Sequence, residues 1–509
     1  MLRKLLRPAG IALTVALGAG VCACGGGAAT QATGDGPTLT IYEGSAPPTL
    51  NPMLQSSNQV PNNLAYDSLL VQTGYSAFTP ALAESFQYVG NGNREVELTL
   101  RKDVRFSDGS TMTAPGLEAY MKATIAANDI STGTFPVSGW STPNSTTLEI
   151  SFSRAFPDAQ LEFDQSGIFG TPVSAKELTS SQLGVATFGA GPYELDASAT
   201  VAGTTYTFAK NPNYYDPAKQ HWQQVVLKVI GNDASRLESV EATSYSMEQG
   251  TPAENTTAQS AGLDLVSNSA TSVYGMIILD RQGQIVPALG NQKVREALNY
   301  AINRTADAKA LDGTPIEQVA ATGYVGHYAA NVYSYNVATA KQLLAQAGYP
   351  HGFTLPILYE STDPLSSTVA QLLDSDFAAI GVKVEFTTAP SIQAYGSDMN
   401  TGKYPAAIQQ MQGMAFTVTT ARIFLPGGLF NPIEKTPPTA SFEDQYLAAS
   451  ADSGAAATTA WADLGRYITE NAWLDDVVAQ PSTYYASKDL TVPAAWGVFP
   501  DPVSMTPAS

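Results

Sequence analysis

The chain has 509 residues, 44% of them hydrophobic and 9% aromatic, and its 45 acidic side chains outnumber 26 basic ones for a formal net charge of −19. That length divides into more than one globular unit, and that apolar content excludes a disordered chain. The acidic balance offers no footprint for a phosphate backbone, and His221, His327 and His351 are too widely spaced to build a histidine-rich metal centre, so neither a nucleic-acid partner nor a metal or other cofactor is expected.

The first element in chain order is an export leader. Arg3, Lys4 and Arg7 form a basic region, and IALTVALGAGV is an apolar run too short to span a bilayer. Val21-Cys22-Ala23-Cys24, followed by Gly25-Gly26-Gly27, resembles a bacterial lipobox. That resemblance implies removal of residues 1–23 and lipid attachment at Cys24, with residues 24–37 as a flexible tether to the outer face of the cell membrane. An ordinary secretory signal cut nearby is the competing reading. Both cysteines lie in this segment, so no disulfide is expected inside the folded body.

Beyond the tether, strand-like runs at 38–42, 95–101, 146–152, 203–209 and 224–230 are separated by Gly, Pro, Asn and Asp clusters, as in antiparallel meanders beside helices. TSVYGMIILD, residues 271–280, reads as a buried strand. VREALNYAINR then carries Val294, Leu298, Ala301 and Ile302 on one helical stripe. Asn336 caps a helix bearing Ala340, Leu343, Leu344 and Ala347, which Gly348 and Pro350 end. The alternating FTLPILY, a stripe of Val369, Leu372, Leu373, Phe377 and Ile380, and the alternating VKVEF make a strand, helix and strand, hence a parallel sheet in this half. No further run of 18 or more apolar residues occurs.

Residues 409–428, QQMQGMAFTVTTARIFLPGG, are charged only at Arg422. They read either as a buried strand and loop or as the lining of a pocket. No phosphate loop, H-E-x-x-H or G-x-S-x-G motif is present, and Gly189-Ala190-Gly191-Pro192 is a tight turn rather than a dinucleotide fingerprint, because position 194 is Glu194. The scattered carboxylates single out no acid and base pair, so the chain is not expected to be an enzyme.

Four blocks in order carry a family resemblance: PTLNP from Pro48; LAESF and LTLRKDVRFSDGS within residues 80–114; FGAGPYEL with YTFAKNPNYYDP; and NQKVREALNYAINR with YSYNVATAKQLLAQAGYPHGF and AIGVKVEF. Together they resemble the bacterial extracellular solute-binding proteins of the dipeptide, oligopeptide and nickel-binding type, the lipid-anchored receptors of ABC importers. The resemblance implies a bilobal α/β fold of the periplasmic-binding-protein kind, two mixed lobes joined by a hinge, the first discontinuous and carrying an extra subdomain. The expected division is residues 38–278 as lobe 1 with a subdomain near 64–187, residues 279–480 as lobe 2, and residues 481–509 returning to lobe 1, with crossings at 274–282 and 477–486. It further implies a monomer that binds a small solute between the lobes and meets the permease subunits in its closed form.

Peptide-binding members present an aspartate, often near a tryptophan, to the ligand's α-amino group, at a place that falls within residues 405–425 here. This chain has neither there; Asp398 and Asp463 lie outside. An unpaired buried ammonium costs several kcal/mol. Three cargoes remain open: a peptide anchored differently, for instance by Arg422 to its carboxylate; an uncharged polar solute such as an oligosaccharide or glycoside; and a metal chelate, ranked last. The candidate ligand contacts are Ser57, Asn58, Tyr274, Gln410, Gln412, Met414, Phe416, Arg422 and Tyr484. A sensor or assembly protein built on the same fold is the non-transport alternative.

Overall fold

The computed structural model describes residues 36–54, 59–74, 77–128, 130, 135–329, 331–412, 416–426, 428, 430–434, 439–493 and 500–508. Cys24, Ser57, Asn58 and Met414 lie outside them, and of Gln412 only the backbone is described.

Ten strands form one continuous mixed sheet. Their order is Lys383–Ala389, Thr354–Glu360, Ala406–Gln412, Asp264–Ile278, Leu474–Ala486, Ser246–Gln249, Thr38–Glu43, Gln224–Val229, Thr205–Lys210 and Tyr193–Leu195, and an eleventh, Thr314–Pro315, pairs with Leu474–Ala486. As the alternating patterns predict, Thr354–Glu360 and Lys383–Ala389 run parallel, with the helix Pro364–Ala378 between them in sequence. Asp363 starts that helix by accepting from the backbone N–H groups of Leu365 and Ser366 at 3.2 and 3.1 Å. Asn336 caps the helix Val337–Gln346 as expected, accepting from Thr339 N at 3.0 Å, and Gly348 beyond its end has φ +92°.

Two strands are long. Asp264–Ile278 and Leu474–Ala486 pair antiparallel with each other, with register shifts between Ser267 and Thr271 and between Tyr274 and Gly275. At one end Leu265, Val266, Tyr484 and Tyr485 pack with cores built from the first half of the chain. At the other end Tyr274, Met276, Ile278, Val477 and Val478 pack with the helices of the second half. Each strand thus passes from one core to the other, giving the body two lobes and one shared sheet. The C-terminal segment returns to the first core, where Leu490 and Met505 are buried and Trp222 Nε1 donates to the Met505 carbonyl at 3.1 Å.

Within the first half a separate four-stranded antiparallel sheet, ordered Ala83–Tyr88, Glu95–Leu100, Thr147–Phe152, Val137–Ser141, packs with the helix Ala114–Ala127. The Gly189 to Pro192 turn is glycine-rich because it presses on its neighbours. A Cβ on Gly191 would sit 2.4 Å from the Ala65 carbonyl carbon, and Gly191 N donates to the Ala65 carbonyl at 3.0 Å. Among the described residues no helix is long and apolar enough to cross a membrane, and no group of three or more His, Cys, Asp or Glu side chains could hold a metal ion.

The uncharged run 409–428 is not a strand and loop. The strand ends at Gln412, and Phe416–Phe424 is a helix that is buried on nearly every side. Phe416 meets Trp461 edge-on at 6.0 Å, and its ring fills the space above Gly326, where a Cβ would approach within 2.3 Å. The run is uncharged because the helix is enclosed, and its one cation is spent on the opposite lobe.

Candidate functional site

The two crossing strands and the strand Ala406–Gln412 bring side chains from both lobes to one place. Tyr274 stands opposite Gln410, and Ser272 opposite Gln412 on one side and Gln480 on the other. A cavity of about 50 Å³ lies over this patch. Gln249 and Gly250 of the first lobe, Leu365 of the second and residues 480–483 of the crossing strand complete its lining. Tyr274 and Gln480 are 3% and 4% exposed, and Gln410 Nε2 donates to Ser272 Oγ at 3.4 Å. Among the described residues, no lining side chain carries a formal charge. Burial raises the Tyr274 phenol well above its ordinary value, and the carboxylates of Asp363 and Glu360 push it the same way.

A second region joins the lobes directly. Thr417 Oγ1 donates to Asp158 Oδ2 at 2.9 Å, and Arg422 Nη2 lies 3.5 Å from Glu162 Oε1. Arg154 donates to the Tyr446 hydroxyl at 3.3 Å and lies over its ring at 6.0 Å, while Asn93 Nδ2 donates to the carbonyls of Ser450 and Asp452 at 2.9 and 3.2 Å. Asp158 reaches the helix from a left-handed backbone, φ 54°, a conformation aspartate tolerates better than most residues. Glu162 is 2% exposed; burial raises its carboxyl, and Arg422 opposes that rise. The carboxylates facing the uncharged run are thus supplied by the other lobe.

The sequence candidates therefore separate. Tyr274 and Gln410 meet in the pocket, with the Gln412 backbone at its edge of the sheet. Arg422 is held by Glu162. Phe416 is 3% exposed within the core of the second lobe, and Tyr484, fully enclosed, packs in the first. Sequence reading missed Gln480, Asp158 and Glu162. A single glutamine in a strand carries no local signal, and the acidic pair meets its partners across about 260 residues.

Burial also sets a pH dependence. Asp164 and Asp476 are raised to about 7 and Asp501 to about 6, each from an ordinary 3.8, with desolvation the leading cause. A carboxyl whose value is higher in the fold than in the unfolded chain contributes stability that is complete below the unfolded value and lost as pH rises through the folded one. The thermal unfolding midpoint is expected to decrease as pH rises from about 4 to about 7. A midpoint that rises over that range would contradict the burial of these groups as neutral acids.

Two lobes sharing a sheet, crossed by two strands, with a polar pocket walled by both lobes, define a solute-binding architecture. The family of bacterial extracellular solute-binding proteins, family 5 (middle region), matches residues 77–423, and this chain belongs to that family. The glutathione-binding protein GsiB of Escherichia coli (strain K12) is 25% identical over 313 residues, 60% of each chain, so the match spans about 60% of that relative's length. Among solved structures, the binding protein AgaA of A. tumefacien R10 in complex with agropinic acid superposes with a TM-score of 0.80 at 21% identity, covering 93% of this chain and 99% of that one. The ABC-transporter-associated periplasmic binding protein DppA of Helicobacter pylori, in complex with the peptide STSA, gives 0.77 at 18% identity, covering 93% and 98%.

Proposed function

We propose that this chain is the extracytoplasmic substrate-binding component of an ABC importer, anchored to the membrane through a lipid on Cys24 and a tether at residues 24–37. It works as a monomer, closes its lobes on a small solute and presents the closed form to the permease subunits. It catalyses no reaction on its cargo. Lobe 1 runs from residue 38 into the first crossing strand and resumes beyond the second; lobe 2 lies between them. The observation that carries this reading is the polar pocket walled by both lobes on the crossing strands, in a chain of this family.

A peptide-like solute is the leading cargo, in keeping with relatives named for glutathione and peptide binding. The uncharged pocket wall favours a second reading, a neutral polar solute such as an oligosaccharide or glycoside. A thermal-shift panel of tripeptides, oligosaccharides and nickel complexes tests both. A solute present at a hundred times its dissociation constant adds about 2.7 kcal/mol of stability. No shift with any of the three classes would favour a sensor or assembly role instead.

A further inference from the structure

The amide of Gln480 is committed at one end only. Its Nε2 donates to the Leu311 carbonyl at 2.7 Å, and because that carbonyl can only accept, the orientation of the amide is fixed. The other end, Oε1, is buried with no hydrogen-bond partner, on a residue 4% exposed that lines the cavity between the lobes. An acceptor in that state carries a desolvation cost until a donor reaches it. Beside it, Ser272 Oγ accepts from Gln410, which leaves the serine hydroxyl hydrogen free to donate in turn. At about 50 Å³ the cavity has room for three or four waters, or for one end group of a larger molecule.

The charge of that end group follows from the surroundings. Among the described residues no Lys, Arg or His lines the cavity, and Asp363 and Glu360 stand close enough to act on Tyr274, so a carboxylate would meet like charge and no cation. An ammonium would lose its hydration with no carboxylate among the described lining residues to pair with directly, since Asp363 and Glu360 stand outside the lining and accept from Leu365 N, Ser366 N and the Thr362 hydroxyl, and an unpaired enclosed charge costs several kcal/mol. A neutral donor matches what is offered. We propose that Gln480 is a specificity-determining acceptor and that the pocket takes a neutral, hydrogen-bond-donating end group, a hydroxyl or a carboxamide, of the captured solute. This rests on the receptor reading above and adds the chemistry of one end of its cargo.

The test measures binding of three end-group probes and one oligosaccharide to the full chain by calorimetry. The probes are N-acetyl-trialanine amide, which is neutral, N-acetyl-trialanine, which ends in a carboxylate, and trialanine N,N-dimethylamide, which carries an ammonium and no donor on its terminal amide. The neutral peptide or maltotriose is expected to bind at least tenfold more tightly than either charged probe, and Gln480→Leu to remove that preference. Equal or tighter binding of a charged probe overturns this inference while leaving the receptor reading in place. Binding of no probe overturns this inference, and the thermal-shift panel then decides the receptor reading separately. Because Gln480→Leu also loses the bond to Leu311, the comparison among probes on the unaltered protein stands alone if that variant does not fold.

Discussion

Replacing Arg281 with methionine is expected to destabilise the protein by about 3–5 kcal/mol, the largest effect of any single polar substitution considered for the second lobe. Arg281 and Glu434 are 1% and 0% exposed, with Nη2 2.7 Å from Glu434 Oε2. The same guanidinium donates to the Ile278 carbonyl at 2.7 Å, to Ile423 O at 3.3 Å and to Asn431 Oδ1 at 3.2 Å, and it lies 5.1 Å from the centre of the Phe424 ring. It therefore ties the end of a crossing strand to the C-terminal turn of the helix Phe416–Phe424. Removing it leaves the Glu434 carboxylate enclosed and uncompensated. Paired replacement, Arg281→Met with Glu434→Leu, is expected to recover much of the loss, since a buried pair can be exchanged for apolar volume at little net cost. Thermal unfolding of the two single variants and the double variant checks this; additive losses would show that the pair does not act as a unit.

Arg422→Ala is expected to weaken solute binding by about 30-fold, roughly 2 kcal/mol, with little change in the unfolding of the ligand-free protein. In a receptor whose lobes part when empty, Arg422 compensates Glu162 while the lobes touch, and a separated Glu162 would be hydrated. The substitution therefore penalises the closed form, and apparent affinity falls with the closed fraction. Glu162→Gln removes the buried charge itself and is expected to cost less. If closure is the mechanism, Glu162→Gln added to Arg422→Ala produces little further loss. If Arg422 instead holds a ligand carboxylate, Arg422→Ala weakens binding equally in the presence of Glu162→Gln, and the two effects add.

Much of the fold could be read from sequence because its elements are amphipathic and capped. The stripe in VREALNYAINR became the helix Gln292–Ala301, and Asn336 caps where its position suggests. The helix Phe416–Phe424 escaped for the opposite reason. Thr417, Val418, Thr419 and Thr420 are all buried, so no polar face alternates with an apolar one, and β-branched residues favour a strand. The crossing strand was half visible: its apolar part gives a clear signal, whereas DLVSNSA before it reads as a polar connector, although the same strand begins at Asp264. Tyr274, expected near the hinge, and Gln410, in the uncharged run, were singled out through the family resemblance, and both line the pocket. Asp158 and Glu162 were not, because about 260 residues of chain separate them from Thr417 and Arg422. The uncharged run carries no aspartate of its own, and the carboxylates that meet Thr417 and Arg422 come from the other lobe.

The most direct test of the account is native mass spectrometry of the full chain isolated without refolding, recorded before and after denaturation. A solute receptor retains a noncovalent small solute in the native state and releases it on denaturation, and the Arg422→Ala variant is expected to retain less. A native mass equal to that of the bare chain, with no solute recovered from either protein, would contradict it.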